Sequence, residues 1–191
     1  RSDLFGNPYV TGTDSITYTI DNIAPTVILT ENDLDYLVRG GDQVRFESTF
    51  SEAMTSSPEI SIELPTSGTV TSTMTQSTTT QWYYDWTVAS DSGTGTATIT
   101  VSGSDIAGNA YTGTDSLTLV LDTTSPTITI TIDDDRVNST DTPTLTFTLS
   151  EPSIDFTSSA ITLTSGSIGT LSATSSTVYT ASYTPASDTV T

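Results

Sequence analysis

The sequence predicts an all-β chain built from tandem β-sandwich units, and three observations predict it. Short alternating or apolar runs recur along the chain between Gly-, Pro-, Asn- and Asp-containing turn signals, and no stretch has helical periodicity. Thr and Ser fill the polar positions, and β-branched Thr suits a half-exposed strand surface. The chain also repeats itself. Asp3-Leu-Phe-Gly-Asn7, Gly12-Thr-Asp-Ser15 and Asp21-Asn-Ile-Ala-Pro25 return as Asp105-Ile-Ala-Gly-Asn109, Gly113-Thr-Asp-Ser116 and Asp122-Thr-Thr-Ser-Pro126. The copies differ by one inserted residue and lie about 101 positions apart, the length of one small sandwich.

Taken in order, residues 1–21 read as the tail of a unit: an acidic turn, then an alternating strand at 15–20. Asn22 to Pro25 is a linker. Seven runs follow, at 26–30, 43–50, 59–64, 69–75, 82–88, 96–102 and 116–121. Arg39-Gly-Gly-Asp42, Pro65-Thr-Ser-Gly68, Asp91-Ser-Gly-Thr-Gly95 and the 105–113 stretch supply turns between them. Seven short strands in about 100 residues is the count for a Greek-key immunoglobulin-like sandwich. From residue 123 the pattern returns more loosely. Leu149-Ser-Glu151 answers Phe50-Ser-Glu52, and Tyr179-Thr-Ala-Ser-Tyr183 answers Trp82-Tyr-Tyr-Asp-Trp86. The expected organisation is therefore 1–21, the last strand of a preceding or neighbouring unit; 22–122, a complete domain; and 123–191, a domain lacking its last strand.

Head and tail fit each other as sequence. Thr191 read onto Arg1 gives Thr-Val-Thr-Arg-Ser-Asp-Leu-Phe-Gly-Asn, beside Thr100-Val-Ser-Gly-Ser-Asp-Ile-Ala-Gly-Asn109. An incomplete sandwich leaves backbone groups and core surface unpaired. Residues 1–21 of one copy are accordingly expected to complete the 123–191 unit of a neighbour by strand addition. Covalent continuation in a longer polypeptide and an arbitrary boundary are the alternatives.

Composition narrows the partners. Net charge is −19, with four Arg, no Lys, no His and no Cys. Such a surface repels nucleic acid and anionic membranes and attracts divalent cations. Disulfides are excluded, and so are isopeptide cross-links through Lys. No apolar run is long enough to span a bilayer. High Thr and Ser, strong acidity and absent Cys suit a bacterial or archaeal cell exterior.

Asp105-Ile-Ala-Gly-Asn109, Gly113-Thr-Asp-Ser116, Asp122-Thr-Thr-Ser-Pro-Thr127 and Thr49-Phe-Ser-Glu-Ala-Met54 resemble the bacterial Ig-like repeats of large secreted adhesins. Such repeats also occur in RTX-type and biofilm-associated surface proteins. The resemblance spans essentially the whole chain. It implies a non-enzymatic, secreted module that calcium rigidifies between domains, whose partners are adjacent repeats or further copies. Adhesion to a host or surface glycan or protein would then fall to other domains.

Topology places carboxylates. In a seven-strand Greek key, the loops after strands two, four and six gather at the pole where the chain enters. For residues 22–122 that pole receives Glu52, then Asp105 and Asn109, with Asp21 and Asn22 in the entering linker. Ca²⁺ takes six to eight oxygen ligands from such groups. The same logic assigns Glu151 and Asp122 to a second junction, with Asp3 and Asn7 arriving from a neighbouring copy. Asp14 and Asp115 read as turn formers. Asp133-Asp-Asp135 lies toward the opposite pole, with Asp33, Asp35 and Asp91 at that pole of the preceding unit, and reads as a solvated face.

The aromatic stretch Trp82, Tyr83, Tyr84 and Trp86 alternates, so Tyr84 shares the core side with the two Trp, and Tyr179 and Tyr183 repeat the pattern. Asn138-Ser-Thr140 is a glycosylation sequon. Catalysis has little to work with: no His or Cys, no phosphate loop, and no carboxylate pair set in an apolar run. The function expected is a structural repeat of an extracellular adhesin stalk or surface filament. A pilin-like donor-strand subunit, and a glycan- or ice-binding module, are the other readings. Ice binding would need a flat face of regularly spaced Thr, and mixed Ser, Gln and Glu argue against one.

Overall fold

The structure is a computed structural model that describes residues 2–8, 16–33, 37–66 and 68–187. It divides into two compact units, Arg1–Thr124 and Ser125–Thr191. Asp14, Asp35 and Asp188 lie outside the described residues.

The first unit is a two-sheet sandwich. One sheet orders β1 (Val27–Glu31), β3 (Gln43–Phe50), β7 (Gln81–Thr87) and β6 (Thr75–Gln76). The other orders β2 (Leu37–Val38), β9 (Ser116–Leu121), β8 (Gly95–Ser102), β4 (Glu59–Leu64) and β5 (Gly68–Thr73). Alternation buries one face of each strand: Val44, Phe46, Ser48 and Phe50 on β3; Ile60 and Ile62 on β4; Ala97, Ile99 and Val101 on β8; Leu119 and Leu121 on β9. Phe46 stacks on Trp86 with ring centroids 6.2 Å apart, and Trp82 and Trp86 are both buried, as core aromatics should be. On the outer face Arg45 pairs with Asp85 through Nε and Nη2, at 2.6 and 2.7 Å, and lies over the Tyr83 ring.

Two short strands were not expected. The run 69–75 is not one strand: it breaks at Met74, which is buried and donates its N–H to the Pro58 carbonyl at 2.8 Å. The chain thereby leaves β5 in one sheet and enters β6 in the other. Leu37–Val38 forms β2 because β9 offers it a parallel edge, with Leu37 opposite Val120 and Val38 opposite Leu121.

The strand expected at 15–20 is also absent: described residues 16–20 carry no strand pairing. A strand needs a neighbour to satisfy its N–H and C=O groups, and none is there. Ile16, Tyr18 and Ile20 are about 80% exposed, at 79, 80 and 80%. They align with Leu117, Leu119 and Leu121 of β9, of which Leu119 and Leu121 are fully buried.

The second unit has one sheet, β10 (Ile128–Ile132), β11 (Thr144–Leu149), β14 (Val178–Thr184) and β12 (Ser167–Ile168), with β13 (Ser172–Ala173) also pairing β14. A 3-10 turn at Ser158–Ala160 is the only helical element among the described residues. The pairings repeat those of the first unit. Thr26 donates to Ser51 Oγ while Ser51 donates to the Thr26 carbonyl, both at 2.9 Å; Thr127 and Ser150 do the same at the same distances. Ser48 faces Trp82, and Phe147 faces Tyr179.

Among the described residues of the second unit there is no counterpart of β4, β8 or β9. Residues 161–163 match β4 in sequence, yet they form no strand, because β4 is held by β8 and β5. Without the covering sheet, Ile128 and Ile130 are 45 and 56% exposed, whereas their equivalents Val27 and Leu29 are 6 and 8% exposed.

Equivalent positions should therefore differ in cost. Leu29→Ala is expected to destabilise the first unit by about 2–4 kcal/mol, and Ile130→Ala the second by under about 1 kcal/mol. Urea unfolding of the two variants checks this.

Candidate metal centre

The candidate site is built on a turn. In Asp105-Ile-Ala-Gly-Asn109, Asp105 N–H donates to the Asn109 carbonyl at 3.0 Å, and Gly108 N–H donates to the Asp105 carbonyl at 3.2 Å. The Asp105 carboxylate accepts Asn109 N–H on Oδ1 and Asn109 Nδ2 on Oδ2, both at 2.8 Å. Gly108 sits at φ 93°, a conformation L side chains resist. Asp105 itself is fully buried.

The β3–β4 loop closes over this turn. Met54 bridges Asp105 in antiparallel fashion, and Thr55 N–H donates to the Ser104 carbonyl at 3.0 Å. The linker arrives from the other side, where Asn109 Nδ2 reaches the Asp21 carbonyl at 3.3 Å. Asp21 is shaped by its own turn, its Oδ1 accepting Ile23 N–H at 3.0 Å. Carboxylate oxygens of Asp21, Glu52 and Asp105 lie within 4.8 Å of one another, the one such grouping among the described residues.

Electrostatics differ across the three. Burial raises the Asp105 carboxyl, but hydrogen bonds from Asn109, Gly108 and Ala107 outweigh it and hold the group below its ordinary 3.8. Glu52 moves the other way: burial lifts it above its ordinary 4.5, and the charges of Asp21 and Asp105 and a hydrogen bond shared with Asp21 lift it further. Asp105 is thus a fixed anion, and Glu52 bears the repulsion.

The donors fit a hard cation. All are oxygens, and neither imidazole nor thiolate occurs in the chain to favour a softer metal. Asp21, Glu52 and Asp105 would be direct ligands. The Asn109 amide nitrogen is occupied in bracing the turn, which leaves its carbonyl oxygen to ligate. Asn22 follows Asp21 in the linker and is exposed.

The other expected carboxylate ligands are not members of this group. Asp122 Oδ1 accepts from Thr94 Oγ1 at 3.0 Å and Thr124 N–H at 3.1 Å, within the first unit. In the second unit Glu151, equivalent to Glu52, has a buried Oε1 with no hydrogen-bond partner among the described residues. Asp3 and Asn7 form the same turn as Asp105 and Asn109: Asp3 accepts Asn7 N–H and Nδ2 at 2.9 Å, with Gly6 at φ 83°. That turn stands exposed, with Leu4 and Phe5 at 99 and 89%.

Several acidic residues have local work instead. Asp115 accepts the Tyr111 hydroxyl at 2.7 Å, and its N–H donates back to that oxygen, so its partner is an aromatic side chain rather than turn backbone. Asp133 Oδ1 caps Thr144 N–H at 2.8 Å, as Asn32 caps Arg45 at 2.7 Å. Asn138 accepts Thr140 N–H at 2.8 Å and Thr140 Oγ1 at 2.6 Å inside the exposed sequon. Sequence reasoning missed Met54, which seats the Glu52 loop on the buried turn. Its signal was an apolar residue two positions after Glu52, at the end of the Thr49-Phe-Ser-Glu-Ala-Met54 motif.

The opposed shifts set a pH profile for the metal-free protein. Glu52 holds its proton more tightly folded than unfolded, so its stabilisation is present below pH 4.5 and is lost as pH rises through the raised folded value. Asp105 behaves oppositely: its contribution is present above pH 3.8 and is lost as pH falls through the lowered value. Thermal melting of the first unit is expected to improve from neutral pH toward mild acid and then to worsen. In Glu52→Gln the initial improvement should shrink, and an unchanged profile would remove Glu52 as its source.

The family comparison agrees with the all-β fold. Residues 122–191 match a family model described as a bacterial Ig-like domain. No curated protein matches the sequence. Among solved structures, the chain is similar to trypsin-activated alpha-2-macroglobulin from Escherichia coli, at 12% identity and a TM-score of 0.35. That similarity covers 78% of this chain and 11% of the other. The family match falls on the segment whose strand pairings repeat those of β1, β3 and β7, so residues 122–191 are similar to a bacterial Ig-like domain and the first unit shares those pairings.

Proposed function

We propose that this chain is a non-enzymatic structural repeat of an extracellular adhesin stalk or surface filament. It is joined head to tail, with residues 1–21 completing the 123–191 unit of a neighbour, and Ca²⁺ bound by Asp21, Glu52 and Asp105 stiffens it. The observation that carries the reading is the repetition itself: the sequence of residues 3–20 duplicates that of 105–121, and the described residues 16–20 pair with no strand. Sandwich cores, Pro-containing linkers and a surface of net charge −19 suit a mechanical spacer in a calcium-containing exterior. No helix of the described residues is long and apolar enough to cross a membrane.

The metal acts through the linker. Asp21 belongs to the entering segment, whereas Glu52 and Asp105 belong to the sandwich body. A cation held by all three ties the two together. Without it the carboxylates repel, and the linker is freer to bend. The exposed apolar alternation of residues 16–20 also favours the pilin-like reading, in which each chain is a separate subunit; the mass of purified material separates subunits from a continuous polypeptide.

Calcium titration tests the reading. With a dissociation constant on the order of 10⁻⁴–10⁻³ M, millimolar Ca²⁺ is expected to stabilise the first unit by about 1–2 kcal/mol and to lengthen the particle in solution. Asp21→Asn combined with Glu52→Gln should abolish both responses. Identical melting and hydrodynamic size in Ca²⁺ and in chelator would refute the calcium role.

A further inference from the structure

The second unit lacks more than a cover for its apolar face. It also has an unused strand edge, which the first unit identifies. There β2 pairs in parallel with β9, Val38 lies opposite Leu121, and Asp122 N–H donates to the Val38 carbonyl at 2.8 Å. The turn that follows β2 is marked by Arg39 N–H donating to Asp42 Oδ2 and Asp42 N–H donating to the Arg39 carbonyl. The second unit repeats both bonds with Asn138 and Asp141. Val137 is therefore the counterpart of Val38, and Arg136 that of Leu37. Neither is in a strand; Arg136 N–H is held by Asp134 Oδ1 at 2.9 Å, which leaves Val137 as the counterpart that would carry the ladder bonds.

The apolar face beside that edge is open. Ile128 lies opposite Leu149 and Ile130 opposite Phe147, so these four share one side of the sheet. Leu149 and Phe147 are buried, whereas Ile128 and Ile130 are about half exposed, at 45 and 56%. Phe147 touches Phe156, which packs edge-on against Tyr179. On this side lies an open cavity of about 690 Å³ lined in part by Phe156, Ile168, Leu171 and Tyr179. In the first unit the strand that serves both needs is β9, which pairs with β2 and also contacts β1.

We propose that residues 16–20 of a second copy of this chain dock here as a parallel strand on Arg136 and Val137. The register is set by the repeat. Thr19 takes the place of Val120 opposite Arg136, Ile20 that of Leu121 opposite Val137, and Asp21 N–H donates to the Val137 carbonyl. Ile16, Tyr18 and Ile20 then turn to the core side and cover Ile128 and Ile130. Each feature left open in one copy meets its complement in the other: an unpaired edge, an unpaired strand and two apolar faces. This inference rests on the head-to-tail reading above and adds to it the edge, direction and register of the joint.

The absence of Cys makes the register measurable. Full-length Ile20→Cys is mixed with full-length Val137→Cys under mild oxidation, and Ile16→Cys with Val137→Cys serves as the off-register pair. Partners in register have Cα atoms close enough for a disulfide, whereas a shift of four residues along a strand carries them beyond reach. The expected result is a cross-linked heterodimer from the first mixture and its loss in the second. Tyr18→Asp and Ile130→Asp, both at exposed positions, should each abolish the cross-link while leaving the circular dichroism spectrum unchanged. Equal cross-linking in both mixtures, or none while sedimentation shows oligomers, would overturn this joint and leave head-to-tail assembly standing. A chain that stays monomeric at all concentrations would overturn both. So would a double variant that cross-links only within itself.

Discussion

A β-sheet with one apolar face is a half-finished object in water, and covering that face is the constraint on which the rest of this chain depends. In the first unit the two sheets cover each other. Phe46, Ile60, Ile99 and Leu119 lose all contact with solvent between them. Burying a side chain of that size contributes about 1.5–3 kcal/mol, so a handful of them outweighs the ordering of short, Thr-rich strands. In the second unit the pairings of β1 with β3 and of β3 with β7 recur as β10 with β11 and β11 with β14, yet only Phe147, Leu149 and Ala181 form a buried apolar set among the described residues. Within that shared sheet the ladders are alike; burial is not. Local pairing is therefore sufficient to shape one sheet, and the opposite sheet decides whether Val27-type positions become core.

The buried carboxylate depends on the same closure. Asp105 can lose its water because the turn returns hydrogen bonds from Asn109 and neighbouring backbone to both its oxygens. The exposed Asp3 turn makes the same bonds with no body beneath it. The turn is thus a local property of the Asp-x-x-Gly-Asn sequence, and burial is added by Met54 and the β3–β4 loop. What gathers at the site afterwards is charge: two further carboxylates set beside an anion that is already committed.

Strand positions were legible in the sequence because alternation fixes which side chains face inward. The join between sheets at Met74 was not. Residues 69–75 alternate without interruption, and the sheet switch is dictated by the Pro58 carbonyl, remote in sequence. Residues 16–20 show the converse limit. Their alternation is that of β9, but alternation states a preference, and a strand exists only beside another. The grouping of Asp21, Glu52 and Asp105 was readable from topology, since alternate loops of a Greek key share a pole. The tie of Asp115 to Tyr111 was not, because Asp in a turn has so many local partners. Nor was the failure of residues 161–163 to form a strand, which reflects the pairing they lack rather than anything in their own composition.

The parallel contact of β2 with β9 has a mechanical consequence. Tension applied through the two ends of the first unit draws β2 back toward its beginning and β9 forward toward its end. Because the two run in the same direction, their hydrogen bonds, together with that from Asp122 to Val38, are loaded in shear and must yield together. Rupture is then governed by the height of the unfolding barrier rather than by the equilibrium stability of the fold. A tether made of such units can be modest in thermodynamic terms and still hold under load.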